Sequence, residues 1–246
     1  MNTPFLTLPN LSTLSINDDS LEYYLKVRWL RACGPKRPNF KKWDSLRGPD
    51  KKRLMHDVAA EADHDKPDTD NEDGNYLTPY KQVDIDDLIK RSVEHVLPRS
   101  FELVDNGSKN DPNGWMTADM DANAKRSNHY LMLWPDQEDG KIALPGTLVR
   151  FNGQIHYVPP LEQRARLARK WMYMRATYSG DLKPPSRAQR LYSPQIVALA
   201  NRYDIQPAEQ RVNDLYESMF QWSNPLLKPN AQEWYDDVQW RNLVFS

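Results

Sequence analysis

The chain has 246 residues, which is enough for one large domain or two small ones. Its 33 Lys and Arg residues are balanced by 34 Asp and Glu residues, and the formal net charge of −1 excludes a globally basic, histone-like nucleic-acid coat. The 8 Trp, 12 Tyr and 6 Phe residues predict a packed core and exclude a disordered chain, and no segment approaches the ~20 apolar residues of a membrane span.

An irregular arm is predicted for residues 1–20, because Pro, Ser and Thr residues interrupt its apolar side chains. The arm has neither the basic start nor the continuous apolar run of a secretory signal. Apolar positions predict a helix over 21–33, ended by Gly34, and a second helix over 50–62. The single cysteine, Cys33, excludes an intramolecular disulfide and a thiolate zinc site, so we expect it to be buried and structural.

A strongly acidic segment follows the second predicted helix. Between His56 and Gly74, eight Asp and Glu residues face a single Lys, giving a local charge of −7. Because such runs repel and extend, residues 63–75 are predicted to be a solvated loop within an N-terminal helical region, 21–84. The spacing of the acids matches neither a helical zinc site nor a calcium-binding loop, so no metal is expected there.

Short strands precede a second half that is mainly helical. The strands are predicted at 92–97, 130–134 and 148–158, the last with an Asn152-Gly153 hairpin turn inside it. The helices are predicted at 161–178, 186–192, 193–203 and 207–222. This mixture predicts an α+β fold, a helix-rich single domain.

Positive charge is concentrated on the first of these helices and on the segment after it. From Leu161 to Arg190, eight Arg and Lys residues face two acids, a local charge of +6. A strip of this kind is typical of a surface that binds a polyanion, and the alternative is an ordinary solvated helix face.

A carboxylate and an imidazole stand side by side in Glu94-His95, near the end of the first predicted strand. Adjacent side chains of a strand point to opposite faces, so these two cannot form one simple chelate. They suit two separate tasks, with Glu94 binding a metal and His95 accepting a proton from water. The alternative for His95 is a partly buried structural histidine.

Residues 94–98 (Glu-His-Val-Leu-Pro) resemble the Glu-His-Val-x-Pro signature of the bacterial endonuclease I family, non-specific nucleases with a ββα-metal (His-Me finger) site. Three further blocks resemble that family in the same order. They are 119–128, similar to its Asp-x-x-x-Asn-x-x-Arg-Ser-Asn block; 159–174, similar to its Arg-Gly-x-(Ile/Leu)-Ala-Arg-x-x-x-Tyr-Met helix; and 207–225, similar to its closing helix and Gln-Gly-Asn-x-Asn-Pro end. The resemblance implies a ββα-metal core in a catalytic region over 85–228, followed by a tail at 229–246. Ala165 (or Leu167, in another register) and Trp222 depart from it, each standing where the family has Gly.

The chain also departs from the family at the position of the second metal ligand. It lies about nine residues before the position matched by Asn123, which is Gly114 here, and Gly cannot ligate. Asn113 is one residue away and is the predicted ligand, with Asn110 and His129 as the alternatives.

The resemblance implies a metal-dependent endonuclease that hydrolyses phosphodiester bonds of DNA, with RNA as a second candidate substrate and little sequence specificity. His95 would be the general base, since an imidazole with an ordinary pKa of ~6.5 accepts protons near neutrality. Glu94 and Asn113 would hold one Mg²⁺, which needs few protein ligands, and Mn²⁺ or Ca²⁺ are the substitutes considered. Arg126, Arg166 and Arg169 are predicted to clamp phosphates, with structural ion pairs as their alternative role.

Two other functions on the same scaffold stay open. One is a catalytically inactive nucleic-acid-binding protein, which the displaced second ligand favours. The other is a virion-associated protein that uses the arm and the acidic loop as contact segments. Because the chain lacks the signal sequence and the several cysteines of many secreted family members, we expect a cytoplasmic, virus-associated or phage-associated protein with no membrane partner and an oligomeric state that the sequence leaves open.

Overall fold

A computed structural model describes residues 18–40, 75–77, 82–84, 91–104, 107–134 and 144–246 of the chain. The predicted helix at 50–62 lies outside these ranges. So do the predicted arm up to residue 17 and the acidic loop up to residue 74.

The described residues form a mixed α+β fold in which helix predominates, as the sequence predicts. The helices are α1 (Asp18–Cys33), α2 (Met120–Arg126), α3 (Leu161–Thr177), α4 (Arg187–Leu191), α5 (Ser193–Arg202), α6 (Pro207–Phe220), α7 (Gln232–Asp236) and α8 (Val238–Phe245). The strands are β1 (Asn75–Leu77), β2 (Gln82–Asp84), β3 (Arg91–His95), β4 (Trp115–Asp119), β5 (Tyr130–Leu131), β6 (Leu148–Phe151) and β7 (Gln154–Tyr157).

Capping explains where the predicted helices begin. Before α4, the Ser186 hydroxyl accepts a hydrogen bond from the Gln189 backbone N–H at 3.0 Å, and the Gln189 side chain accepts one from the Ser186 N–H at 3.1 Å. This reciprocal pair is a capping box, which satisfies N–H groups that the first helical turn leaves unpaired. Helix α6 begins with Pro207, a residue favoured at the first helical position because it has no N–H to satisfy.

Strands β3 and β4 form an antiparallel pair, and helix α2 follows β4 directly and contacts both strands. His95 lies opposite Trp115 at one end of this pair, and Glu94 lies opposite Met116. The strand β4 and the helix α2 were not predicted. An amphipathic helix is recognised in a sequence by apolar residues on its buried face and charged residues on its exposed face. Helix α2 shows the reverse, because Met120 is exposed and Arg126 is buried.

A second sheet has the strand order β5-β7-β6, with β5 parallel and β6 antiparallel to β7. The β6–β7 hairpin turns at the predicted Asn152-Gly153, where φ is 47° and 79°. Positive φ at both central residues is what a type I′ turn requires, so this prediction is confirmed.

Helix α3 runs through the core, and α1, α5 and α8 contact it. The Trp29 ring of α1 lies 5.0 Å from the Trp234 ring and 5.2 Å from the Trp240 ring, measured between centroids. Both partners belong to residues 229–246, which were predicted to be a tail and instead form α7 and α8 in the core. Cys33 is buried, as predicted. Among the described helices, none has the length and apolar character to cross a membrane.

Candidate active site

His95 ends strand β3 with its imidazole fixed by the backbone of a nearby turn. Its Nε2 lies 2.8 Å from the carbonyl oxygen of Lys109, and the same oxygen accepts a hydrogen bond from the Trp115 indole N–H at 3.0 Å. Because a carbonyl oxygen can only accept, Nε2 carries the proton and the neutral ring has its lone pair on Nδ1. The turn therefore fixes both the tautomer and the orientation of the predicted base.

A small cleft opens beside this imidazole. Its polar lining includes half-buried His95 and Lys109 and exposed Arg99, and Leu97, Met174 and Leu182 are among its apolar lining residues. The cleft thus places two cationic side chains near the predicted base. Sequence reasoning missed Arg99 and Lys109, because neither lies in one of the family-like blocks on which the prediction was based.

Gly114 also lines the cleft, and it packs against helix α3. A Cβ atom built on Gly114 would lie 2.9 Å from the Met174 sulfur, closer than such contacts normally come. A side chain at the position on which the second ligand of the family falls would therefore require the Met174 side chain to move. A one-residue shift to Asn113 is the smallest change that keeps an amide near this point.

The carboxylate of Glu94 is buried and forms an ion pair with the Arg126 guanidinium of α2. Arg126 also donates hydrogen bonds to the carbonyl oxygens of His95 at 2.9 Å and Val96 at 2.8 Å. The predicted phosphate clamp is thus a buried structural residue that ties α2 to the end of β3. Burial at 2% exposure keeps this guanidinium away from a bound phosphate in this arrangement.

The three candidates for the second metal ligand lie in different surroundings. The Asn113 side chain is buried and hydrogen-bonds the Asp111 carboxylate, and Asn110 is buried in the preceding turn. His129 is half-buried after α2. Within the described part of the chain, no three His, Cys, Asp or Glu side chains group as metal ligands would. Of the predicted ligands, the Glu94 carboxylate is held by Arg126 in this arrangement.

The basic strip from Leu161 to Arg190 is mostly inside the protein. Its buried members are Arg164, Arg166, Arg169, Lys170 and Arg175, and its exposed members are Lys183, Arg187 and Arg190. The strip was predicted to be an accessible face, either bound to a polyanion or solvated. Both interpretations are wrong for the part of the strip on α3, because its cations are buried. Only the segment after α3 offers its charge to a partner.

Arg169 shows why these cations tolerate burial. Its guanidinium forms a two-pronged ion pair with the Glu209 carboxylate, at 3.0 and 2.5 Å, and donates to the carbonyl oxygens of Ala200 at 2.7 Å and Tyr203 at 3.1 Å. This satisfies the rule that a buried charge needs a partner and hydrogen bonds. The phosphate-clamp prediction for Arg169 is thereby corrected to its alternative, a structural ion pair. Arg166 is also buried, at 7% exposure, and is not placed to reach a phosphate at the surface.

Arg175 uses backbone carbonyls in place of a carboxylate. It donates to the carbonyl oxygens of Lys183 at 2.7 Å, Val244 at 3.3 Å and Ser246 at 3.2 Å. Burial lowers the pKa of its guanidinium to about 10, and the nearby charge of Arg190 acts in the same direction. These contacts join the end of α3 to the segment that follows it and to α8.

A buried network anchors the turn that orients His95. The Asp111 carboxylate accepts hydrogen bonds from the hydroxyls of Tyr173 at 2.8 Å and Tyr178 at 2.9 Å, and the Trp222 N–H donates to the Tyr173 hydroxyl at 2.7 Å. Burial raises the pKa of Asp111, and the hydrogen bonds that it accepts oppose that rise. Asp111 is two residues from Lys109, so the core fixes the carbonyl that the imidazole contacts.

His156 is a second histidine whose environment has a measurable consequence. It is fully buried, with Nδ1 3.2 Å from the Gln154 carbonyl oxygen and Nε2 2.9 Å from the Ser186 hydroxyl. A neutral ring satisfies both contacts, donating from Nδ1 and accepting at Nε2. Burial lowers the pKa of His156 to about 4.

This shift predicts a loss of stability in mild acid. An unfolded histidine binds a proton below pH ~6.5, whereas the folded one resists it down to about 4, so the His156 contribution is complete above ~6.5 and is lost as the pH falls toward 4. The expected loss is about 3 kcal/mol in the free energy of unfolding. Urea unfolding from pH 7.5 to 4 should show a shallower decline for His156→Gln than for the wild type. Parallel declines in the two proteins would contradict the prediction.

Fold and site together define a helix-rich α+β protein with a polar cleft at the end of a two-stranded antiparallel sheet. Comparison of the chain with protein-family models finds no match, and comparison with curated proteins finds none. The resemblance to endonuclease I therefore rests on the four sequence blocks alone.

Proposed function

We propose that the protein is a metal-dependent endonuclease that hydrolyses phosphodiester bonds of DNA, and as a second substrate RNA, with little sequence specificity. The observation that carries this proposal is the His95 cleft, in which an oriented imidazole lies beside Arg99 and Lys109. A phosphodiester repels nucleophiles by its own charge, so its hydrolysis needs an activated water and nearby positive charge. The cleft supplies a residue for each need.

The chain order around His95 also supports the proposal. The unit β3–β4–α2 is an antiparallel pair of strands followed by a helix that contacts both, and His95 ends the first strand. We propose that this unit is the ββα-metal core of a His-Me finger. Its Glu94 lies on the helix-covered side, where Arg126 contacts it, and its His95 lies on the cleft side.

In the proposed reaction, His95 accepts the proton of the attacking water at Nδ1, while the Lys109 carbonyl oxygen holds the ring through Nε2. Arg99 and Lys109 bind the scissile phosphate and offset its charge. This assignment moves phosphate binding from the buried Arg166 and Arg169 to residues that line the cleft.

The proposed cofactor is one Mg²⁺, with Mn²⁺ or Ca²⁺ as substitutes, held by Glu94 and by Asn113, or by Asn110 or His129 in its place. When bound, the ion would neutralise charge on the leaving oxygen. Binding requires Glu94 to exchange the Arg126 guanidinium for the ion, because the two cations compete for one buried carboxylate. Asn113 must likewise exchange its hydrogen bond to Asp111.

A second function is favoured by that same ion pair. If Arg126 holds Glu94 permanently, the scaffold binds nucleic acid through the cleft cations and does no chemistry. This alternative is a catalytically inactive nucleic-acid-binding or virion-associated protein. It differs from the first in that it does not cleave DNA.

Nicking of supercoiled plasmid separates the two functions. With Mg²⁺ we expect conversion to open-circular and then linear DNA, and with EDTA we expect none, while a gel-shift assay in EDTA shows binding in both functions. A protein that binds the plasmid but never nicks it, with Mg²⁺, Mn²⁺ or Ca²⁺, is the inactive alternative. Parallel purification of His95→Ala controls for a contaminating nuclease.

A further inference from the structure

Three exposed cations continue from the cleft across one face of the protein. We name Arg99, Lys183 and Arg190 the basic track, and all three side chains are exposed. Arg99 lines the cleft itself, together with Leu182, the residue before Lys183. Backbone, side-chain and ring contacts connect the segments that carry these three residues.

The first step of the track joins Arg99 to Lys183. The segment after Arg99 pairs with the segment around Leu182: the Leu103 N–H donates to the Asp181 carbonyl oxygen at 2.8 Å, and the Lys183 N–H donates to the Phe101 carbonyl oxygen at 2.7 Å. The Lys183 ammonium lies 5.6 Å from the centre of the Phe101 ring. Lys183 therefore emerges next to the turn that carries Arg99.

The second step joins Lys183 to Arg190. The Phe101 ring packs against the Tyr130 ring at 4.7 Å between centroids. The Gln189 side chain donates to the carbonyl oxygen of Leu131, the residue after Tyr130, at 3.1 Å, so Arg190 follows a residue that contacts this strand. Arg175 lies beneath the track, where it binds the Lys183 carbonyl oxygen, and adds a buried positive charge to the same face.

Within the part of the chain that the structure describes, no ion pair neutralises the cations of the track. Among the described residues, Arg99, Lys183 and Arg190 make no side-chain hydrogen bond or ion pair, and the cation–π contact of Lys183 leaves its charge in place. Two cations elsewhere are paired: Arg28 with Asp237 at 2.5 Å and Lys228 with Glu217 at 3.1 Å. Half-buried acids near the track are Glu102, which accepts two hydrogen bonds from Ser108, and Asp181.

We infer that the basic track is the path of the nucleic-acid strand beyond the scissile phosphate, with successive phosphates at Arg99, Lys183 and Arg190. The inference rests on the proposed function for the direction of the strand, since it begins at the His95 cleft. Phe101 is buried, so it supports the track from below and offers no face for a base to stack on. Contacts of this kind reach only phosphates, so they position the strand without reading its sequence.

The test measures binding in EDTA, where no cleavage occurs, with a fluorescent 20-base-pair DNA duplex followed by anisotropy over a range of salt. Lys183→Gln/Arg190→Gln is expected to weaken binding about tenfold or more at low salt. The slope of log K against log salt should become shallower by about 0.9 for each cation removed. Two duplexes of unrelated sequence should respond equally.

Arg202→Gln is the matched control, because Arg202 is exposed at the opposite end of α5 from the track. It should keep the wild-type affinity and slope. Unchanged binding by the track variant, or an equal loss in Arg202→Gln, overturns the inference. Because binding is measured without cleavage, the two proposals can fail independently. A wild-type protein that does not nick plasmid refutes the endonuclease, whereas only the binding data decide on the basic track.

Discussion

His95→Ala is expected to lose about 10²–10⁴-fold in the rate of plasmid cleavage and to keep its affinity for DNA. In the proposed mechanism the imidazole takes the proton from water, with its tautomer fixed by the Lys109 carbonyl oxygen, and phosphate binding is assigned to Arg99 and Lys109. The rate is measured by single-turnover nicking at saturating Mg²⁺. Affinity is measured by anisotropy in EDTA.

Exogenous imidazole supplies the control for this variant, since a small base that enters the vacated space should recover part of the rate. Trp115→Phe is a milder comparison, because it removes the indole hydrogen bond to the same carbonyl oxygen and keeps a smaller aromatic ring beside the imidazole. We expect it to lose less than His95→Ala. Wild-type cleavage by His95→Ala would refute the mechanism proposed here.

Arg126→Met is expected to destabilise the protein by about 3–5 kcal/mol, because it leaves the buried Glu94 carboxylate without its cation. It also removes the hydrogen bonds to the His95 and Val96 carbonyl oxygens. Adding Glu94→Gln to this variant should restore stability, since the stranded charge is gone, although Glu94→Gln alone destabilises the wild type. Urea midpoints of the four proteins, compared at equal m, give these free energies of unfolding.

A reversal of sign between the two backgrounds is the signature of a coupled pair, and an equal cost of Glu94→Gln in both would contradict it. The half-exposed pair of Lys228 and Glu217 is the control, and Glu217→Gln should cost less than ~1 kcal/mol. In cleavage assays, Glu94→Gln is expected to need more Mg²⁺ than the wild type, if that carboxylate binds the ion.

The sequence predicts the helices and turns of this fold better than it predicts which side chains are buried and which residues they contact. The helix over 161–178 and the hairpin at Asn152-Gly153 are confirmed, because periodicity and turn residues act locally. The orientation of α3 was misjudged, because the carbonyl oxygens that receive Arg169 belong to Ala200 and Tyr203, more than thirty residues along the chain. A count of charges cannot reveal acceptors that only folding brings near.

The candidate site shows the same division. Glu94 and His95 were singled out from their neighbours in sequence, and the strand does send them to different environments. Arg126 was assigned to the substrate, whereas its partners are Glu94 and two carbonyl oxygens of the adjacent strand end. Arg99 and Lys109 could not be singled out, because nothing in their local sequence distinguishes them from other surface cations.

The anchoring of Asp111 has a consequence for the proposed activity. The aim of the imidazole depends on the Lys109 carbonyl oxygen, and the position of that oxygen depends on two tyrosine hydroxyls and an indole deep in the interior. The orientation of His95 near the surface therefore depends on hydrogen bonds in the core. Substitutions at Trp222, which lies far along the chain from the cleft residues, should therefore disturb the orientation of the His95 imidazole as well as the packing of the core.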